Sequence, residues 1–265
     1  MEVKEKLGEG MTAEVYEIDR QYVLKLFYSH IPNEWVDYEY NLAHSVGELY
    51  ESAPRAYEII DYDGRKGIVY DRAYGNELSE LLKAKVSRCI EFGVALADIH
   101  SHMHKIVVDN LPLQKDIYFN AIEESRDILG EWTNRLQEMA KDLVYGDYIC
   151  HGDLHLGNVM LSNDEYKVID WMGASQGNPI ADVCRSMIML ETPYSLHGIP
   201  YTLKLIVRVI LFRTKRAYLK RYCELNNVTV KEIRSWLPIV AGARIRENIP
   251  GEKKWLINMI RRNLK

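Results

Sequence analysis

Cysteine is scarce and scattered in this chain: Cys89, Cys150, Cys184 and Cys223 form no CxxC pair, which argues against both a disulfide framework and a zinc knuckle. No stretch approaches the roughly 20 uncharged apolar residues of a membrane-spanning helix. The opening MEVKEKLGEG is charged where a signal peptide needs an apolar core. The expectation is a cytoplasmic protein with reduced thiols, with neither membrane nor nucleic acid as partner, present as a monomer or homodimer. HExxH is also absent, so His100 and His104, four apart on a helical pattern, lack the third ligand that a zinc site would add.

What is present suits a globular chain. Its 265 residues are 47% hydrophobic, enough to bury a sizeable core in one large domain or in two lobes. The net charge of -4 conceals a split: residues 201–265 carry 16 basic and 4 acidic side chains, and residues 1–200 carry 18 and 34. Such asymmetry fits either an anionic partner or the solvated faces of amphipathic helices.

The first 70 residues alternate as strands do. EVYEID (14–19) and YVLKLF (22–27) flank the break Asp19-Arg20-Gln21, and YEIIDY and KGIVYD flank the turn Asp63-Gly64. Between the pairs, residues 32–49 are helix-like, with Trp35, Tyr38, Leu42 and Val46 at spacings of three and four. Ahead of the first hairpin, Gly8 and Gly10 in LGEGMTAEVY permit a tight turn and a close ligand approach. A dinucleotide fingerprint runs from strand into helix, whereas this G-x-G-x-x-A runs from strand to strand, as a flap over a nucleotide does. A plain turn is the competing reading. Lys25 likewise reads either as an outward position on an edge strand or as a phosphate-holding lysine paired to Glu39, with Glu34 as the fallback partner. From about Leu78 the period becomes helical, and strand signal returns only near residue 148. The fold class is α+β, in two lobes: residues 1–74 with a small antiparallel sheet and one helix, and residues 76–265, mainly helical.

The densest chemistry lies in HGDLHLGNVM (151–160) and its continuation YKVIDWMGASQGNPIADV. A loop, a hairpin and a carboxylate follow one another, so that Asp153, Asn158 and Asp170 converge. Zinc coordination by His151, Asp153 and His155 is a rival reading, but it leaves Asn158 and Asp170 without a role.

H-G-D-x-H-x-x-N (151–158), I-D-W (169–171) and G-N-P-x-x-D (177–182), with Lys25 and the glycine loop, resemble the aminoglycoside phosphotransferase and choline kinase-like family, a branch of the protein-kinase-like fold. The resemblance covers nearly the whole chain. It implies a small-molecule kinase using ATP, or GTP, with Mg2+. In that reading Asp153 is the base that accepts the hydroxyl proton, and Asn158 and Asp170 are the metal ligands. Lys25, Glu39, Gly8 and Gly10 hold the phosphates, and the segment Asp71, Arg72, Ala73 resembles the hinge that meets the base edge at about residues 71–75. His151 and Asp182 support the catalytic loop, and His155 either supports it or faces the acceptor. Ala13, Leu156 and Asn178 depart from the family pattern without removing a catalytic group.

Asp182 follows Asp170 by only twelve positions, and no A-P-E run follows, so there is no room for an activation loop that seats a peptide. The acceptor expected is a hydroxyl on a small molecule, lined by residues 110–140 and 190–265, with Arg244, Arg246 and Glu247 as candidate contacts. The excess of bases points away from polycationic aminoglycosides. A nucleotide-binding regulator without turnover and a metal-dependent hydrolase at HGDLH are the alternatives.

Overall fold

The computed structural model describes residues 3–196 and 198–264. Met1, Glu2, His197 and Lys265, which fall in the opening segment and the acceptor-lining stretch of the sequence reading, lie outside the described residues. The chain divides into two compact units: Met1–Leu78 with Gly157–Ala174, and Ser79–Leu156 with Ser175–Lys265.

In the first unit, β1 (Lys6–Glu9), β2 (Ala13–Glu17), β3 (Tyr22–Phe27), β4 (Ala56–Tyr62) and β5 (Arg65–Asp71) form one antiparallel sheet in the order β1-β2-β3-β5-β4. The turns are those the sequence encodes. Asp19 Oδ1 accepts the Gln21 and Tyr22 amides at 2.7 and 2.9 Å, an Asx turn. Asp63 and Gly64 both adopt positive φ, as a two-residue hairpin that keeps the strands' twist requires.

Helix α1 (Asn33–Leu49) covers one face of the sheet, where Phe27, Ile68, Val36 and Ala43 pack together. The other face buries Leu24, Leu26 and Val69 under tyrosines. Side chains of a strand alternate between faces, so Lys25 shares the α1 side with Phe27. The strand that carries it is central, bonded to β2 and β5. That corrects the edge-strand reading of Lys25.

Also in this unit, β6 (Asn76–Glu77), β8 (Val159–Ser162) and β9 (Glu165–Val168) make a three-stranded ribbon in the order β6-β8-β9. Its hairpin turns at Asn163 and Asp164, both at positive φ. Asn158 and Ile169 sit at the open end, where the Ile169 amide donates to the Asn158 carbonyl at 2.9 Å.

The second unit is mainly helical: α2 (Leu78–Ala84), α3 (Cys89–Met103), α4 (Gln114–Glu124), α5 (Arg126–Leu129), α6 (Trp132–Asp142), α7 (Pro179–Met189), α8 (Tyr201–Asn226), α9 (Val230–Ser235), α10 (Leu237–Arg244) and α11 (Lys253–Asn263). Two short strands, β7 (Tyr148–Cys150) and β10 (Ser175–Gly177), pair antiparallel on either side of the motif segment. Asn178 caps α7 by accepting the Ile180 amide at 2.8 Å, with Pro179 in the first turn. Gly177 before it leaves room for the Gln114 side chain, which a Cβ would meet at 2.5 Å. The G-N-P run is therefore a strand end and a helix cap.

Helices α3 and α8 cross closely at Gly93, where an added Cβ would lie 2.3 Å from the Thr214 carbonyl oxygen. The gain in helix propensity from alanine is under ~1 kcal/mol, and forcing the helices apart costs ~1–3 kcal/mol. Gly93→Ala is therefore expected to lower the urea midpoint of unfolding, and an unchanged midpoint would show that the crossing gives way.

Candidate active site

The first unit gathers one cation and two carboxylates. The ammonium of Lys25 lies 2.6 Å from Glu39 Oε1 and 3.7 Å from Asp170 Oδ1, and the Tyr70 hydroxyl donates to the same Glu39 oxygen at 3.0 Å. Glu39 is buried on α1, and its second oxygen, Oε2, is buried without a partner. Glu34 is exposed near the start of that helix, so Glu39 and not Glu34 is the partner. Burial opposes the charge on Lys25, but Glu39 and then Asp170 outweigh it and raise its pKa above the ordinary lysine value.

Asp170 stands at φ 64, ψ 66, a left-handed conformation that costs a non-glycine residue ~1–3 kcal/mol. The ribbon imposes it. Ile169 is tied to Asn158, and Trp171, buried after the turn, donates its indole N–H to the Val168 carbonyl at 2.8 Å and meets the Tyr50 ring edge-on at 5.7 Å.

Gly8 lies in β1, opposite Val15, and Gly10 begins the β1–β2 turn, closed by the Gly10 amide on the Ala13 carbonyl at 2.8 Å. A Cβ at Gly8 would meet nothing within 4 Å. Among the described residues no packing requires glycine there, which leaves open space beside the end of β1. In the hinge segment, the Asp71 and Arg72 amides donate to Arg55 and Gln21 carbonyls at 3.0 and 2.7 Å. The Asp71 carboxylate receives the Arg55 amide and the Tyr57 hydroxyl, and the Arg72 guanidinium pairs with Glu17 at 2.5 Å. Asp71, Arg72 and Ala73 line a concavity of about 430 Å³, which neither Lys25 nor the glycine loop borders.

The second unit holds His151 to Leu156. The buried Asp182 on α7 takes the His151 amide on Oδ2 at 2.7 Å and the Gly152 amide on Oδ1 at 2.9 Å. Gly152 turns at φ 74, the Asp153 amide donates to His151 Nδ1 at 3.1 Å, and the Ser186 hydroxyl anchors the Leu154 carbonyl at 2.7 Å. Four polar contacts thus pin four consecutive residues.

His100 and His104 reach the same carboxylate, with each Nε2 at 3.4 and 3.3 Å from Asp182 Oδ2, while each Nδ1 meets a tyrosine hydroxyl, Tyr218 at 2.6 Å and Tyr222 at 2.9 Å. A third metal-type donor therefore does accompany this histidine pair, which corrects the sequence reading. Both Asp182 oxygens are already committed to loop amides. Burial opposes ionisation of Asp182, yet its bonds from the two histidines hold it well below the usual carboxylate range. Burial, and then the neighbouring His104, press the His100 pKa down to about 4.

Asp153 Oδ1 accepts from Arg185 Nη2 at 3.1 Å, and His155 Nε2 lies 3.7 Å from Oδ2. Arg185 Nη1 is held from behind by Glu247 at 2.7 Å. Glu247 is shared with Arg244 at 3.0 Å, and buried Arg244 makes a two-point contact with buried Glu252 at 2.7 and 3.0 Å. Arg246 lies apart, 3.6 Å from Glu124. Burial works against the Asp153 charge, but Arg185 outweighs it, with help from His155 and His151, and the pKa falls below the ordinary aspartate value. Sequence reasoning missed Arg185, although it stands three residues after Asp182 and therefore on the same side of α7. Tyr70, Tyr218 and Tyr222 were missed with no sequence signal to find them.

A family model described as the phosphotransferase enzyme family matches residues 5–197. Among solved structures, a thermostable mutant of aminoglycoside phosphotransferase APH(4)-Ia in ternary complex with AMP-PNP and hygromycin B is similar with a TM-score of 0.67 at 15% identity, over 99% of this chain and 93% of that one. Amicoumacin kinase hAmiN in complex with AMP-PNP, Ca2+ and Ami gives a TM-score of 0.59 at 15% identity, over 99% and 87%. An aminoglycoside-3'-phosphotransferase of type VIII gives 0.60 at 16%, over 94% and 93%. At these identities the likeness shows the fold, which is protein-kinase-like. No curated protein sequence gives a significant match.

The His100 environment has a consequence for stability. Its ring is neutral in the folded protein down to pH about 4, whereas the ordinary value is 6.5. Above pH 6.5 this contribution is fully present. It is lost progressively as pH falls towards 4, because the unfolded chain takes up a proton that the native chain refuses, with an upper size of about 3 kcal/mol. Urea unfolding between pH 7 and 4 should show this slope, flattened in His100→Gln. Equal slopes in the two proteins would place His100 outside the effect.

Proposed function

The chain belongs to the phosphotransferase enzyme family, and from that footing we propose that it is an O-kinase moving the γ-phosphoryl group of ATP, or of GTP, to a hydroxyl of a small molecule. The observation that carries this reading is the buried Lys25–Glu39 pair with Asp170 beside it. A cation fixed on a central strand, with carboxylates that keep it charged, is suited to hold phosphate oxygens. The open space at Gly8 supports an approach of phosphate to the turn amides. Ala73 follows two residues whose amides are already bonded within the chain, and its backbone is the part of the hinge segment we assign to the base edge.

Asn158 and Asp170 are the residues that would hold Mg2+. Both offer hard oxygens, the donor type the ion selects, and the tie between Ile169 and the Asn158 carbonyl keeps them adjacent at the ribbon's open end. When bound, the ion offsets charge on the phosphate oxygens. Asp153 takes the proton of the acceptor hydroxyl as that oxygen attacks phosphorus. Because Arg185 keeps it ionised below the ordinary range, it is a competent base throughout neutral pH. His151 and Asp182 hold the loop that presents it, and His155 flanks its second oxygen.

The acceptor we favour is neutral or anionic. Polycationic substrates call for uncompensated carboxylates, whereas Asp153 and Glu247 share Arg185, and Glu247 and Glu252 share Arg244. On the same grounds Arg244 and Glu247 act through Arg185, as a brace behind Asp153, and not as direct contacts.

Asp153→Ala should lower Mg2+-dependent phosphorylation of the best hydroxyl acceptor by about 10²–10⁴-fold while nucleotide binding is retained, the split expected of a lost base. Activity unaffected by this change, or ATP consumption with no acceptor dependence in the wild type, would remove the kinase reading. With the acceptor found, the acid limb of the kcat/KM profile reports Asp153. Arg185→Gln should move that limb upward in pH, because the carboxyl loses its main favourable charge, and Glu247→Gln should move it downward or leave it. An unshifted limb in Arg185→Gln would separate Asp153 from the titration.

A further inference from the structure

Helix α8 is two helices in its environment. From Thr214 onward it belongs to the core: Thr214, Lys215, Tyr218, Leu219 and Tyr222 are buried, with Gly93 of α3 against the Thr214 carbonyl. Over its first thirteen residues, YTLKLIVRVILFR, no side chain is buried. Yet this is its most apolar part. Tyr201 is 88% exposed and Leu205 70%, and Ile206, Val209 and Phe212 are each half exposed or more. Scattered exposed apolar residues need no explanation, but a contiguous patch of this kind marks an interaction surface. Leu205, Val209 and Phe212, spaced by four and three, share one face of the helix.

Charge singles out the partner. Between Thr192 and Cys223 there is no acidic residue, and there are seven bases, all of them on α8. Lys215 is taken by Glu191 and Arg221 by Asp98, at 2.7 Å for the latter. Arg208, Arg213 and Arg216 are exposed on or beside the apolar stretch. Arg213 and Arg216 stand four residues beyond Val209 and Phe212 on that same stripe, where long basic side chains can lay their stems along the apolar surface while their heads reach outward. A second copy of the chain packed on this face would bring two sets of arginines together. A nucleic-acid backbone would use the bases but leave leucine, isoleucine and phenylalanine in water. An anionic lipid surface satisfies both: apolar side chains enter the acyl boundary and arginines meet the head groups.

We propose that the first half of α8 is a docking surface for an anionic lipid bilayer, on which the helix lies in the plane of the head groups. None of the helices is long and apolar enough to cross a membrane among the described residues. This replaces the expectation of no membrane partner. Lys25, Glu39, Asp153, Asn158 and Asp170 all lie outside α8, although the stretch expected to line the acceptor includes it, and vesicle binding is read separately from turnover.

The test is co-sedimentation of the full chain with vesicles. Binding should be strong with phosphatidylglycerol mixed into phosphatidylcholine, weak with phosphatidylcholine alone, and reduced by added salt. Arg208→Glu with Arg213→Glu should weaken it roughly ten-fold or more. Leu205→Glu with Phe212→Glu should abolish it, and circular dichroism and the melting midpoint should stay close to wild-type values because both side chains are more than half exposed. Equal partitioning onto neutral and anionic vesicles, or wild-type binding by the Leu205→Glu, Phe212→Glu protein, overturns the proposal. So does a dimer seen by light scattering that the same double variant dissolves while no vesicle binding occurs, since a second copy would then cover the face.

Discussion

The Asp182 carboxylate is the constraint on which the HGD loop depends. It is fully buried and ionised, an arrangement that costs several kcal/mol unless every lone pair is engaged. Here the His151 and Gly152 amides and His104 bond it, and the His100 ring lies 3.4 Å away. Each of those contacts in turn orders something. The amides turn the chain at Gly152 and fix the start of the segment bearing Asp153. The histidines, backed by Tyr218 and Tyr222, tie α3 and α8 to α7. Because the cost of leaving this charge unpaired is so large, the loop has essentially one conformation open to it.

The same logic runs behind Asp153. Arg185, Glu247, Arg244 and Glu252 alternate in sign from α7 to the end of α10 and the start of α11, each charge flanked by its opposite. Ion pairs of this kind, buried at Arg244 and Glu252 and partly exposed at Asp153 and Glu247, contribute little net stability compared with a packed apolar core, but removing a buried member strands its partner. Their use is placement. A carboxylate in contact with a guanidinium that is itself gripped from behind keeps its charge and its orientation. In the first unit Lys25 obeys the same rule at smaller scale, with Glu39 gripping the ammonium and Tyr70 gripping Glu39.

Local patterns made much of the fold legible. Period-two alternation located β2 to β5 within a residue or two, because each strand has one face on a core and the turns Asp19-Arg20-Gln21 and Asp63-Gly64 carry their own hydrogen bonds or positive φ. The α1 helix was read from apolar spacing, but of that stripe only Leu42 and Val46 are buried; Trp35 and Tyr38 are exposed, and Val36 and Ala43 face the core instead. What stayed hidden was neighbourhood. Nothing in YVLKLF says that β3 is central and not an edge, since that depends on β5 returning from forty residues away. His100 and His104 showed only that they share a helix face. Their carboxylate lies 78 residues on from His104, and no periodicity links the two.

The identity and order of the chemical groups, Lys25, Asp153, Asn158, Asp170 and Asp182, were determined by the sequence, together with the α+β class and the hairpins, because turn chemistry and side-chain periodicity act over a few residues. Only the tertiary structure decided which charges neighbour which. It chose Glu39 over Glu34 by placing Lys25 on the α1 side of the sheet, and it put Arg185 between Asp153 and Glu247. It also paired Lys215 with Glu191 and Arg221 with Asp98 on α8 while leaving Arg208, Arg213 and Arg216 exposed. Burial and long-range pairing set these outcomes, and both are properties of packed surfaces that no short stretch of chain contains.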